Sequence, residues 1–258
     1  MLYNLLFPLA DEAGFLNLFQ YLTFRTGGAV ITALIVSFLF GPVLIRTLKV
    51  RQGKGQPIRA DGPEGHLLTK KGTPTMGGVL ILFGLLCGTL LWADLTSAHV
   101  WILLTITLGF GAIGFADDFL KVRRQTSVGV PGRIKILLQI AIALGTTFWL
   151  INLTGSEYNS GLALPFVKSI LIDLGWFFIP FAVFVMVGAS NAVNLTDGLD
   201  GLAIVPIMIA AAVFGVISYF VGNAVFSEYL QLHYVAGAGE LSVFCGALVG
   251  AGLGFLWF

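Results

Sequence analysis

Seven apolar stretches, near residues 26–45, 76–93, 100–116, 136–153, 174–190, 201–222 and 241–258, leave this chain few ways to fold. Each is about 17 to 22 residues long, which lets a helix cross a hydrocarbon core about 30 Å thick. None alternates polar and apolar residues as a barrel strand does, and backbone groups in lipid must be satisfied within the segment, so each reads as a helix. A composition of 57% hydrophobic against 10% charged residues excludes a soluble domain. The expected fold class is an all-α polytopic membrane protein, one domain over residues 1–258. Pro42, Pro180 and Pro206 mark expected kinks or helix ends.

Charge supplies the orientation. Of 14 basic residues, all but Arg25 and Lys168 lie in two loops: Arg46 to Lys71 after the first span, and Lys121 to Lys135 after the third. The positive-inside rule puts both loops in the cytoplasm, with the N-terminus and segments 94–99, 154–173 and 223–240 outside. Loop 191–200 is then cytoplasmic by alternation. Residues 1–25 lack a basic start and are interrupted by Asp11 and Glu12, which suits an interfacial helix on the outer face better than a signal peptide or a span. Around 154–161, turn-forming residues suggest a short hairpin.

Three polar features adjoin the cytoplasmic side. Asp117 and Asp118 end the third span, where a helix C-terminus disfavours acids unless a cation compensates. They are either neutralised by Lys121, Arg123 and Arg124, or they form a Mg²⁺ or general-base site, since hard oxygen ligands suit that ion. The stretch 190–201 packs Asn191, Asn194, Thr196, Asp197, Gly198, Leu199, Asp200 and Gly201 together without positive charge. It reads as a tight loop capping the sixth span, or as a ligand site in which Asn191, Asn194 and Asp197 share one side. Lys70, Lys71, Thr73, Thr75 and two glycines precede the second span, as in a phosphate site at a helix N-terminus, although a helix start with two snorkelling lysines explains them equally. Cys87 and Cys245 lie apart in apolar runs and read as packing residues. His66 falls on the opposite face from His99 and His233, so no zinc set is expected.

The segments KKGTPTMGG at 70–78, ADDFLKV at 116–122 and SNAVNLTDGLDGLA at 190–203 resemble the polyprenyl-phosphate N-acetylhexosamine-1-phosphate transferases. The Thr-Pro-Thr-Met form of the first resembles the muramoyl-pentapeptide branch. That resemblance implies transfer of phospho-MurNAc-pentapeptide from UDP-MurNAc-pentapeptide to undecaprenyl phosphate. The products are UMP and lipid I of peptidoglycan synthesis, and the reaction requires Mg²⁺ in the bacterial inner membrane. It implies a base or positioning role at the lipid phosphate for Asp117, also a tentative Mg²⁺ ligand, with Asp118 supporting the centre. Gly198, Leu199 and Asp200 would form a uracil pocket, Lys70, Thr75, Asn194 and Asp197 would line the nucleotide-sugar side, and Lys121 and Lys135 would face phosphates. Asn191 joins the substrate side by its place in the motif.

Family members continue for about three more spans, ten in all, with a further aspartate that is the main Mg²⁺ ligand. The expectation is therefore that residues 1–258 alone bind poorly and do not turn over. The resemblance also implies a homodimer without nucleic-acid partners. Two other readings are a GlcNAc-1-phosphate transferase to the same lipid and, from another class, a transporter. Against transport, no acid lies mid-span and no internal repeat is evident. A CDP-alcohol phosphotransferase lacks its DGxxAR start here, because Leu202, Ala203 and Ile204 follow Asp200 and Gly201.

Overall fold

The computed structural model describes residues 1–52, 75–126, 128–153, 160–164, 170–196 and 202–258. Its helices are α1 (Leu2–Leu6), α2 (Leu22–Gln52), α3 (Gly78–Trp92), α4 (Ala98–Arg124), α5 (Gly132–Leu153), α6 (Phe178–Thr196), α7 (Ile204–Val221), α8 (Ala224–Leu230) and α9 (Leu241–Leu256). Among the described residues six helices, α2, α4, α5, α6, α7 and α9, are long and apolar enough to cross a membrane, α6 and α9 each with the 3-10 turn before it. The all-α polytopic fold is thus observed, with six of the seven expected spans reaching that length among the described residues. The run at 76–93 forms only the 15 residues of α3, about 22 Å of helix. The left-handed backbone of Met76 (φ 75°) stops α3 from starting earlier.

Three other expectations differ in their boundaries. Residues 1–20 form α1 and two 3-10 turns, Phe7–Leu9 and Gly14–Gln20, in place of one helix. Pro8 withholds a backbone donor there, and residues 10–13 are turn or irregular. Most of the hairpin expected around 154–161 lies outside the described residues, and the antiparallel pair that is seen, β1 (Gly161–Ala163) with β2 (Leu171–Asp173), follows it in the chain. Pro180 and Pro206 fall in the first turns of α6 and α7, where a missing N–H leaves nothing unpaired, while α2 continues through Pro42.

Lipid tails are as apolar as leucine, so burial from water does not bring spanning helices together; close backbone contact does. In α9, Gly246, Gly250 and Gly254 recur every fourth residue and form one bare stripe. A methyl built on Gly250 would overlap the Val30 carbonyl, one on Gly254 would meet Ser37, and one on Gly246 would lie 2.8 Å from Thr26. The stripe is therefore laid parallel along α2. Gly84 and Gly88 of α3 meet Ala33 and Ala29 of the same helix in antiparallel order, with Ala251 and Ala247 of α9 beside them. Helices α2, α3 and α9 thus form a tight triplet holding most of the buried core. Helices α4, α5 and α6 pack in sequence, α7 rests on α9, and α6 has no buried residue.

One end of the triplet is pinned by charge. Arg25, 3% exposed, gives two hydrogen bonds to Glu240, at 2.8 and 2.6 Å, and lies 4.3 Å from the centre of the Tyr3 ring. Glu240 also accepts the Asp94 N–H at 2.9 Å and stands at the N-terminus of α9 without a side-chain capping bond, where a carboxylate complements the helix dipole. Asn4 donates to Asp94 at 2.7 Å and accepts from the Leu95 N–H, which docks the N-terminal segment. Burial opposes ionisation of Asp94, yet the hydrogen bonds from Asn4 and Thr96 and the charge of Arg25 hold its carboxyl below the ordinary aspartate value.

Because removing one member strands the other charge, Arg25→Met is expected to cost about 3–5 kcal/mol of stability, and Arg25→Met with Glu240→Leu much less. Thermal unfolding in detergent checks both; equal losses in the single and double variants would contradict the pairing.

Candidate functional site

The opposite end of α2 and α4 carries the polar layer. Helix α4 does not stop at residue 116 but runs two turns further, to Arg124, so Asp117 and Asp118 are helical residues. Lys121, Arg123 and Arg124 in the last turn complement the dipole, and Gln125 ends the helix in left-handed conformation (φ 51°). Helical spacing then puts Lys121 one turn from both acids. Its ammonium lies 2.6 Å from Asp117 Oδ2 and 3.4 Å from Asp118 Oδ1.

Each carboxylate has a second partner from a different segment. Asp117 Oδ1 accepts the Val130 N–H at 2.8 Å, and Asp118 Oδ2 accepts the Thr75 hydroxyl at 3.2 Å. The loop bearing Val130 comes this close only because residue 129 is glycine: a methyl there would overlap the Asp117 carboxylate. Asp117 is the more enclosed acid, its side chain 14% exposed against 34% for Asp118. Lys135, in the first turn of α5, is near enough to act on Asp117 electrostatically.

One turn along α5, Gln139 is 2% exposed. Its Oε1 accepts from Asn191 Nδ2 at 2.8 Å, and its Nε2 reaches Ser190 Oγ at 3.4 Å. Helix α6 therefore continues to Thr196, and Asn191 and Asn194 lie on it, not in the expected loop. Asn191 also donates to the Val187 carbonyl and Thr196 to that of Val193, so side chains that often end helices are satisfied within this one. Asn194 is exposed on the last turn.

The structure thus brings Thr75, Asp117, Asp118 and Lys121 into contact, with Lys135 nearby, and ties Asn191 to the same face through α5. Lys70, Asp197, Gly198, Leu199 and Asp200 lie outside the described residues. Sequence reading missed Gln52, Gly129, Val130 and Gln139. For Gln139 a signal existed, a lone amide in an apolar run; for Gly129 it was the turn sequence Gly-Val-Pro-Gly at 129–132. Gln52 gave none, since it sits among charged residues at a helix end.

Among the described residues no third His, Cys, Asp or Glu joins the acids as a metal group. Mg²⁺ usually takes one or two carboxylates and completes its shell with water and substrate phosphates, so adjacent hard oxygens with one ammonium for two negative charges fit that ion.

Gly129→Ala is expected to push the loop off Asp117 and break the Val130 bond. A hydrogen bond to a charged group contributes about 1.5–3 kcal/mol, so exchange of the Val130 amide proton should accelerate by about tenfold or more. Hydrogen–deuterium exchange resolves this; unchanged protection would show that the loop does not depend on the glycine.

Comparison with known protein families bears on this layer. The profile of glycosyl transferase family 4 matches residues 100–258, from α4 with its acid pair through α9. The phospho-N-acetylmuramoyl-pentapeptide-transferase signature 1 matches residues 70–82, which hold Thr75 and the start of α3. The two matches meet where the Thr75 hydroxyl reaches Asp118, and the chain belongs to glycosyl transferase family 4 as a multi-pass membrane protein of its polyprenyl-phosphate hexosamine-1-phosphate transferase group.

Proposed function

We propose that the protein transfers phospho-MurNAc-pentapeptide from UDP-MurNAc-pentapeptide to undecaprenyl phosphate at the cytoplasmic face of the bacterial inner membrane. The observation that carries this reading is the contact of signature residue Thr75 with the paired acids Asp117 and Asp118 at one end of a bundle of apolar helices. A soluble nucleotide and a prenyl lipid can meet only at such a boundary. The basic residues of the two charged loops support placing that end in the cytoplasm.

In the reaction an oxygen of the lipid phosphate forms a bond to the sugar-bearing phosphorus, and the bond from that phosphorus to the UMP oxygen breaks. Two anions must approach, so catalysis is mainly positioning and charge neutralisation. Asp117, fixed on one oxygen by the Val130 amide and on the other by Lys121, orients the lipid phosphate or accepts its proton. Asp118, more open, is held by Thr75 and Lys121 beside it. Lys121 spends its charge on the two acids, leaving the described pair one negative charge in excess; Lys135 offsets part of this. When bound, Mg²⁺ held by Asp117 with Asp118 adjacent would supply the positive charge that two phosphate substrates need. Asn191 and Asn194 would serve the nucleotide-sugar side, with Lys70, Asp197, Gly198, Leu199 and Asp200 completing it as the family resemblance implies.

UMP release from UDP-MurNAc-pentapeptide with undecaprenyl phosphate and Mg²⁺ tests the reading. Asp117→Asn in the full-length protein is expected to lower the rate by about 100-fold or more, and chelation of Mg²⁺ to abolish it reversibly. Turnover with UDP-GlcNAc in place of the muramoyl donor would move the assignment to the GlcNAc-1-phosphate branch. No release from either donor would overturn it.

A further inference from the structure

Resting on the transferase reading above, we infer that Gln52 is a positioning residue of this site, whose amide holds Thr75 so that the threonine hydroxyl faces Asp118. Gln52 is the last residue of α2 and 8% exposed. Its Oε1 accepts the Thr75 N–H at 2.9 Å and its Nε2 donates to the Thr75 carbonyl at 3.0 Å. Both backbone groups of one residue are thereby satisfied by one side chain, as a neighbouring strand would do it. That needs an acceptor and a donor at the same end of a side chain of this length, which an amide has and a carboxylate or alkyl group lacks.

The geometry around Thr75 requires such a hold. Met76 carries the left-handed φ of 75°, a conformation that side-chain-bearing residues rarely adopt and that persists only where neighbours over-determine it. On one side of Met76 stands the Gln52 pairing; on the other, Gly77 packs so closely on Phe255 that a methyl would lie 2.7 Å from its ring. Between these supports the Thr75 hydroxyl reaches Asp118 Oδ2, while Asp118 Oδ1 faces Lys121. The carboxylate is thus held from two sides, and loosening Thr75 leaves it to Lys121 alone. Gln52 touches neither acid, so its effect passes through Thr75.

The test compares wild type, Gln52→Ala, Gln52→Glu, Thr75→Val and the Gln52→Ala/Thr75→Val pair in the full-length protein in membranes. UMP release is followed as a function of pH, together with carbodiimide labelling of Asp118 against exposed Asp173. Gln52→Ala should lower kcat/KM by about tenfold, and the double variant should lose no more than Thr75→Val alone, because both act through one contact. Gln52→Glu supplies the sharper readout. As a carboxylate it repels the Thr75 carbonyl; once protonated it again offers one donor and one acceptor, so its activity relative to wild type should climb as pH falls from about 8 to about 5.5. The alanine variant should show no such recovery. Since the readout is the change with pH of each variant's ratio to wild type, a constant loss from misfolding would not imitate it.

Asp118 labelling should rise several-fold in Gln52→Ala, and this arm needs no turnover. Raised labelling with no UMP release from any protein would keep the positioning and overturn the transferase reading. An active wild type whose Gln52 variants match it in rate, pH profile and labelling would overturn the positioning alone.

Discussion

Helices in lipid have little apolar burial to gain from one another, and so the backbone-to-backbone packing of α2, α3 and α9 is the constraint from which the rest of the structure follows. Glycines at 246, 250 and 254 let α9 lie against α2 without side chains between them, and Gly84 and Gly88 do the same for α3. The triplet sets the axis and register of α2. Gln52 is delivered at one end of that helix and Arg25 near the other, and the polar chemistry of each end is arranged around a rigid rod.

The two ends use charge differently. At the Glu240 end, arginine, carboxylate, ring face and backbone amide neutralise one another almost out of contact with solvent, which suits a lock. At the Asp117 end, two acids share one lysine and remain partly open. A carboxylate pair left with excess negative charge is costly unless a cation or ligand joins it, and sites of this kind at a membrane boundary are where function concentrates. Proteins tolerate such local frustration where another part of the fold supplies the stability, and here the glycine-packed triplet supplies it.

Sequence and structure diverge where helices end. The apolar runs stop at residues 116 and 190 because hydropathy reports contact with lipid, whereas a helix continues as long as its hydrogen bonds and caps allow. Lys121 pairing back one turn extends α4 past the acids, and Asn191 bonding to Gln139 extends α6 past the serine. At α3 the difference is one of boundary: the apolar run from residue 76 enters its helix only at Gly78, after the left-handed backbone of Met76. Arg25, outside the two basic loops in the sequence, is buried and bidentate to Glu240, a pairing that a count of charges does not reveal.

Membrane insertion, helical class and the identity of the acid pair, its lysine and the Thr75 segment were all readable from the chain alone. They depend on local composition and on helical spacings of three and four, which any folded form of these residues must express. Which distant residues complete the site was not readable. Gly129 against Asp117, Gln139 against Asn191 and Gln52 against Thr75 join positions 12 to 52 residues apart, through glycine clearances and single amide contacts that leave no periodic trace. Those pairings depend on how rigid helices are set side by side, and only the packing of the whole bundle decides that.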